Sequence, residues 1–297
     1  MELRQLEYLL AVIETASFSA AARKLGVTQP SVSEQIRNLE KSVHQPLLDR
    51  LPGRVIPTAV GRQLAEHARR ILAEVADASR HAHDALDEVT GPLTVGAIPT
   101  IAPFIFPRVF RPFQSRFPKV ELSLVEETTP VLLERLANGE IDLAIASTVP
   151  PTQHLHIETI AHERLLLMLP AQHRLARMKS IDAEMLDQEK FVALHEMHCL
   201  ADQSAKFCLR TGLRQLTIMH GSNLFTLSRM VATGAGITLV PAMMVDARPR
   251  GAPGCAFRRF RKNAPTRPLT LIWSLLRYRA QNARRFAGMV EPLLRKK

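Results

Sequence analysis

Leu64, Ala68, Ile71, Val75, Ala78, Ala82, Ala85 and Val89 follow one another at alternating steps of four and three residues. No other feature of the sequence restricts the fold as sharply. The spacing predicts one long helix from Thr58 to Val89 carrying a coiled-coil seam. At ~1.5 Å per residue such a helix spans ~46 Å. Its small seam residues let a second helix approach closely. A single chain does not bury such a seam alone, so at least a dimer is expected; packing on the chain's own later residues is the alternative.

Three short helices precede it. Leu3, Leu6, Leu10 and Ile13 give the first helix an apolar face. In "SFSAAARKLG", Ser17 can cap, Phe18, Ala21, Ala22 and Leu25 face inward, and Gly26 can end the helix. In "VTQPSVSEQIRNLEK", Pro30 suits a first turn, and Val32, Ile36 and Leu39 form an inward stripe. Two helices joined by a Gly-containing turn make a helix-turn-helix, with the second helix as reader. Opposite the stripe lie Pro30, Glu34, Arg37, Asn38 and Lys41, flanked by Ser31 and Ser33, with Gln29 at the N-terminal end. Gln suits adenine, Ser suits several bases, and Arg or Lys suits guanine or phosphate. Glu34 would repel phosphates; it can accept from a cytosine amino group or pair with Arg37, and the ion pair is the favoured reading. "LLDRLPGRVIPT" reads as a hairpin around Pro52-Gly53. It would act as a wing, with Arg50 and Arg54 beside the turn and able to reach a minor groove.

The remaining two hundred residues alternate strands and helices, which predicts a mostly parallel sheet with helices on both faces. Strands are expected at 93–98, 120–126, 142–147, 164–169, 190–195, 216–220, 237–240 and 269–276, with helices at 104–117 and 130–137 among others. Ligands in such sheets bind at the carboxyl ends of strands, where Pro99-Thr100 and Thr128-Thr129 fall. The chain lacks a zinc-protease motif, a CxxC, a P-loop and a dinucleotide fingerprint. His195, His198 and Cys199 lack a fourth ligand nearby. No metal, cofactor or enzymatic activity is expected.

Of the net charge of +11, residues 248–297 carry fourteen Lys/Arg against Glu291 alone, whereas residues 1–57 hold seven against six acids. A solvated basic face is one reading, a nonspecific contribution to nucleic-acid binding the other. The N-terminus is no signal peptide and no run is long enough to span a membrane, so a cytoplasmic protein with reduced thiols is expected. Cys199 and Cys208 stand nine residues apart in "HCLADQSAKFC". In a helix they would lie ~13.5 Å apart along the axis and on opposite faces, beyond the ~7 Å Cα separation a disulfide tolerates. Bonding would then require unwinding. The two are either small core hydrophobes or a pair that reports oxidation. Cys255, in an Arg-rich loop, is left without a role.

Residues 2–62 resemble the N-terminal module of LysR-type transcriptional regulators, and residues 91–297 look like that family's two-lobed effector domain of periplasmic-binding-protein type. Pro57 departs from the leucine usual before Thr58. The resemblance implies a winged helix-turn-helix over 1–58, a dimerisation helix over 59–89 and an effector domain over 90–297. Lobe I would comprise 91–162 and 268–297, lobe II 163–267. It implies DNA contacts by Gln29, Pro30, Ser31, Ser33, Arg37, Lys41, Arg50 and Arg54. "HCLADQSAKFC", "GAIPT" (96–100), the Thr129 region and Arg267 resemble the OxyR branch of the family, which senses hydrogen peroxide. Carried over, Cys199 attacks peroxide and Cys208 resolves the product, while Thr100, Thr129, His198, Asp202 and Arg267 hold the oxidant. Met197 and Ala201 stand where the branch often has Gly and Arg. Implied partners are promoter DNA, further copies of the chain up to a tetramer, and RNA polymerase. The expected function is a DNA-binding transcriptional regulator that senses hydrogen peroxide. The alternative is a regulator gated by a small metabolite between the lobes. A thiol peroxidase would need turnover with a reductant, and the DNA module and seam argue against it.

Overall fold

A computed structural model describes residues 1–51, 54–84, 90–150, 155–187, 189–194, 200, 203–207, 215–219, 224–246, 253–274 and 280–295. The chain divides into two compact units, one of residues 1–87 with 137–140, the other of the remaining residues from 88 onward.

The first unit contains α1 (Leu3–Thr15), α2 (Phe18–Leu25), α3 (Gln29–Val43), β1 (Leu48–Leu51), β2 (Arg54–Pro57) and α4 (Ala59–Asp84). Its core gathers Leu6, Leu9, Val12, Ala21, Ala22, Val32, Ile36, Leu39 and Leu47. The apolar face of α1 differs from expectation. Leu3 is 43% exposed, while Leu9 and Val12 are fully buried. The reason is that α1 is gripped by α2, α3 and α4 together, so its buried stripe follows those neighbours. Strands β1 and β2 pair antiparallel, Leu48 opposite Pro57, as a wing should. Pro52 and Gly53 lie outside the described residues.

The start of α4 is fastened to the turn before the wing. Thr58 donates its N–H to the Leu47 carbonyl and its hydroxyl to the Pro46 carbonyl, and accepts from Gly61 N–H at 2.9 Å. A Cβ on Gly61 would sit 1.9 Å from the Leu47 oxygen, so only glycine allows this approach. Ala65 and Ala68 then sink into the core. Further along the seam, Ile71 and Val75 are 38% and 40% exposed. The expected helical residues 85–89 lie outside the described residues.

The second unit contains β3 (Gly91–Ala97), α5 (Ala102–Arg116), β4 (Val120–Glu126), α6 (Thr129–Asn138), β5 (Leu143–Ala146), β6 (Leu155–Pro170), β7 (Ser180–Ile181), β8 (Lys190–Leu194), β9 (Gln215–Met219), α7 (Leu224–Ala232), β10 (Thr238–Pro241), α8 (Ala242–Asp246), β11 (Cys255–Phe260), β12 (Thr266–Ser274) and α9 (Ala280–Arg295). The large sheet runs β4-β3-β5-β12-β6-β11-β7, with β10 beside β6, and β8 and β9 form a separate pair. The expectation of a mostly parallel sheet is corrected. Strands β4, β3 and β5 are parallel, but β12 is antiparallel to both β5 and β6, and β6 is antiparallel to β10 and β11. The cause is the 16-residue β6. It leaves one hydrophobic core and enters a second, and β12 returns alongside it, so the two must run oppositely. The first core holds Leu93, Ile105, Phe113, Leu132, Ile145, Leu271 and Phe286. The second holds Leu167, Leu169, Phe191, Leu227, Leu239 and Phe260. Cys255 opens strand β11 rather than lying in a loop. No helix among the described residues is long and apolar enough to cross a membrane.

Candidate functional site

The reader helix is held by its own sequence. The Ser17 hydroxyl accepts from Ala20 N–H at the start of α2. At the other end Gly26, at φ 68°, donates to the Ala22 and Arg23 carbonyls, and only a residue at ease in the left-handed region turns the chain so tightly. Pro30 sits in the first turn of α3. Val32, Ile36 and Leu39, all fully buried, then fix which face of α3 is outward.

Gln29, Pro30, Arg37 and Lys41 are exposed on that outward face, and Ser31 is half-buried. Ser33 is only 6% exposed, so it does not flank the face as expected. Its carbonyl and hydroxyl accept from Arg37 Nε at 3.3 Å and Nη2 at 3.4 Å. The expected Glu34–Arg37 ion pair is absent among the described residues, because Arg37 folds back along the helix onto Ser33 instead. On the wing, the Arg50 guanidinium lies 4.8 Å above the Phe18 ring, which aims it without neutralising it. Val55 N–H donates to the Ala16 carbonyl at 2.9 Å, tying the wing to the turn between α1 and α2. Arg54 is exposed.

The second candidate site lies at the carboxyl ends of β3, β4 and β5. Thr100 follows β3 and is 1% exposed, Thr129 opens α6 after β4 and is 6% exposed, and Ser147 follows β5 and is 1% exposed. Arg267, on β12, is fully buried. Its Nη1 donates to Thr100 Oγ1 at 2.7 Å, its Nη2 to the Thr100 carbonyl at 3.0 Å, and its Nε to Glu163 Oε2 at 2.8 Å. Glu163, also fully buried, uses its other oxygen to accept from Met243 N–H at 2.7 Å, at the start of α8. A buried guanidinium is tolerated because a carboxylate faces it and both groups have their hydrogen bonds met. Thr100 and Arg267, expected in one pocket, are thus in direct contact. Sequence reasoning missed Glu163. Its signal was a charged residue just ahead of the apolar run "LLLML".

Cys199, Cys208, His198 and Asp202 lie outside the described residues. The stretch between the cysteines is described at residues 200 and 203–207, which are helical. Leu200, Ser204 and Phe207 are each 2% exposed. Phe207 meets Phe260 edge-on, with centroids 5.2 Å apart. Gln203 Nε2 donates to Ser147 Oγ at 2.9 Å and to Thr148 Oγ1 at 3.3 Å. Its Oε1 and the Thr128 hydroxyl are buried with no hydrogen-bond partner among the described residues. Cys255 differs in kind. Burial pushes its thiol above the ordinary range, Arg229 opposing weakly, and Sγ donates to the Ser228 carbonyl at 3.2 Å.

Known proteins match this geometry along the whole chain. The bacterial regulatory helix-turn-helix domain of the lysR family matches residues 3–62, and the LysR substrate binding domain matches residues 86–295. A hydrogen peroxide-inducible genes activator of Haemophilus influenzae is 36% identical over 82% of this chain and 81% of its own length. The DNA-binding transcriptional dual regulator OxyR of Escherichia coli K12 is 34% identical over 92% of this chain and 89% of its own. A full-length OxyR variant from Pseudomonas aeruginosa superposes with a TM-score of 0.79 at 26% identity, covering 99% of this chain and 94% of that one. Full-length CbnR complexed with target DNA gives a TM-score of 0.73 at 25% identity, over 98% and 99% of the two chains. A winged helix-turn-helix, a long connecting helix and a two-core α/β effector unit in one chain, with these relatives, make it a member of the LysR family of transcriptional regulators, in its OxyR-like branch.

Proposed function

We propose that the chain binds promoter DNA and senses hydrogen peroxide through reversible disulfide formation between Cys199 and Cys208. The observation that carries this reading is the "HCLADQSAKFC" stretch in a chain whose relatives include proteins named as hydrogen peroxide-inducible genes activators. The chemistry balances without a cofactor. The Cys199 thiolate attacks one peroxide oxygen, the O–O bond breaks, and hydroxide leaves to be protonated to water. The Cys208 thiol then attacks the sulfenic sulfur, and water departs as the disulfide forms. Thr100, Thr129, His198, Asp202 and Arg267 are the residues assigned to the oxidant. Arg267 is spoken for by Thr100 and Glu163, so its part is to fix the Thr100 hydroxyl in place.

Gln29, Pro30, Ser31, Arg37, Lys41, Arg50 and Arg54 are assigned to DNA, with Ser33 acting by holding Arg37. The half-exposed Ile71 and Val75 support pairing of two chains along α4, which calls for symmetric half-sites. Cys199→Ser should abolish the peroxide response in a footprinting assay and leave the affinity of the unoxidised protein unchanged. A serine variant that still responds removes Cys199 from the mechanism. Arg37→Ala should weaken DNA binding by ~1–3 kcal/mol at fixed salt if the guanidinium reads a base. A second reading, a metabolite at the strand ends, draws on two buried atoms there that have no hydrogen-bond partner among the described residues, Thr128 Oγ1 and Gln203 Oε1. Counting free thiols after mild peroxide separates the two, since only the switch loses two thiols in step.

A further inference from the structure

The described residues between the two cysteines, 200 and 203–207, are anchored on both sides. Leu200 and Phe207 are sunk in the second core. Gln203 reaches the other way, to the loop that leaves β5 in the first core, with hydrogen bonds to Ser147 Oγ at 2.9 Å and Thr148 Oγ1 at 3.3 Å. That loop does not yield easily. Ser147 is 1% exposed, and its carbonyl accepts from Thr270 Oγ1 on β12 at 3.2 Å.

Residues 200 and 203–207 are helical. Any two residues nine apart in a helix are ~13.5 Å apart along the axis, against the ~7 Å that a disulfide spans, so a Cys199–Cys208 bond is incompatible with helix throughout. Closing the bond therefore unwinds the turn that carries Gln203, and the bonds to Ser147 and Thr148 go with it. A contact present in one state and lost in the other biases the equilibrium between them. The amide is also only half satisfied, since Oε1 is buried without a partner among the described residues. Such a group holds weakly and releases at little cost.

We propose that Gln203 is a positioning residue for the thiol–disulfide switch. Its amide latches the stretch between the cysteines to the Ser147–Thr148 loop in the dithiol state and lets go as the disulfide closes. The inference rests on the reading of Cys199 and Cys208 given above. The sign follows directly. Removing the latch raises the free energy of the dithiol state alone, so the disulfide becomes relatively more stable and the couple harder to reduce.

The test equilibrates the full-length protein against a series of dithiothreitol redox buffers and measures the Cys199–Cys208 disulfide fraction by mass spectrometry. Gln203→Ala and Gln203→Met should shift the equilibrium toward disulfide about three- to tenfold, a potential ~14–30 mV more negative. Met keeps the side chain's length, so a shift with both variants is not a folding artefact. Ser147→Ala, which deletes only the accepting hydroxyl, should give a similar shift and blunt the effect of Gln203→Met in the double variant. A role confined to packing would lower the melting temperature and leave the potential where it was. If the wild type forms the disulfide and neither Gln203 variant moves the equilibrium, or if they move it toward the dithiol, the latch is wrong and the switch stands. If the wild type forms no such disulfide, both fall.

Discussion

Arg267 and Gln203 both reach the loops at the carboxyl ends of the parallel strands, and they do so in opposite ways. Arg267 is fully buried, commits Nε, Nη1 and Nη2, and faces a carboxylate that is itself fully used. Gln203 is only half-buried, neutral, and uses one end of its amide. The first arrangement cannot be opened without exposing or stranding a charge. The second can be opened at the cost of two ordinary hydrogen bonds. The contrast marks Glu163 and Arg267, on β6 and β12, as the fixed pair and, on the proposal above, Gln203 as the contact that lets go.

The comparison is tested hardest at Glu163. Glu163→Ala strands the Arg267 charge in a dry site and should cost about 3–5 kcal/mol of stability. Urea unfolding of the full-length chain, followed by the fluorescence of its one tryptophan, Trp273, measures this. Replacing both partners, as Glu163→Leu with Arg267→Met, should recover most of the loss. An unchanged midpoint for Glu163→Ala would mean that the pair is no clamp. Next in size, Leu200→Ala should cost about 2–4 kcal/mol by the same measurement, since it empties a buried position in the second core. Gln203→Met should cost the reduced protein only about 0.7–1.4 kcal/mol, the same amount by which it shifts the redox equilibrium. A large stability loss there would make Gln203 a structural residue like Arg267 and erase the distinction. The smallest effect concerns Cys255. Its raised thiol pKa keeps it protonated at neutral pH, so iodoacetamide should label it several-fold more slowly than free cysteine, faster as pH rises, and mild peroxide should leave it intact. Rapid labelling in the folded protein would show that burial does not protect it.

Much of this was legible in sequence because period and punctuation agree locally. Ser17, Gly26 and Pro30 mark ends of α2 and α3, and Val32, Ile36 and Leu39 orient the reader helix, all within a few residues of one another. The strand at 120–126 was likewise plain from its interleaving of apolar and polar residues, VELSLVE. What stayed hidden depends on distant partners. Strand β11 carries Arg258 and Arg259 and reads as a loop until β6 is laid beside it. The direction of β12 follows from where β6 ends, not from its own residues. Ser33 shows the same limit at short range: a wheel places it at the edge of the outward face, and only its bonds to Arg37 show that it turns inward. At the strand ends, Thr100 and Arg267 emerged through family resemblance, whereas Glu163, which lies 104 positions from Arg267, had no local pattern to betray it.

The close fit of Gly61 against the Leu47 carbonyl has a mechanical consequence. With no slack at that joint, α4 and the reader helix form one crank. The 26 residues of α4 make an arm of ~39 Å. Turned as one piece by ~10°, the unit therefore sweeps the far end of α4 by ~7 Å, and a displacement of that size at the far end corresponds to re-aiming Arg37 and Lys41 together.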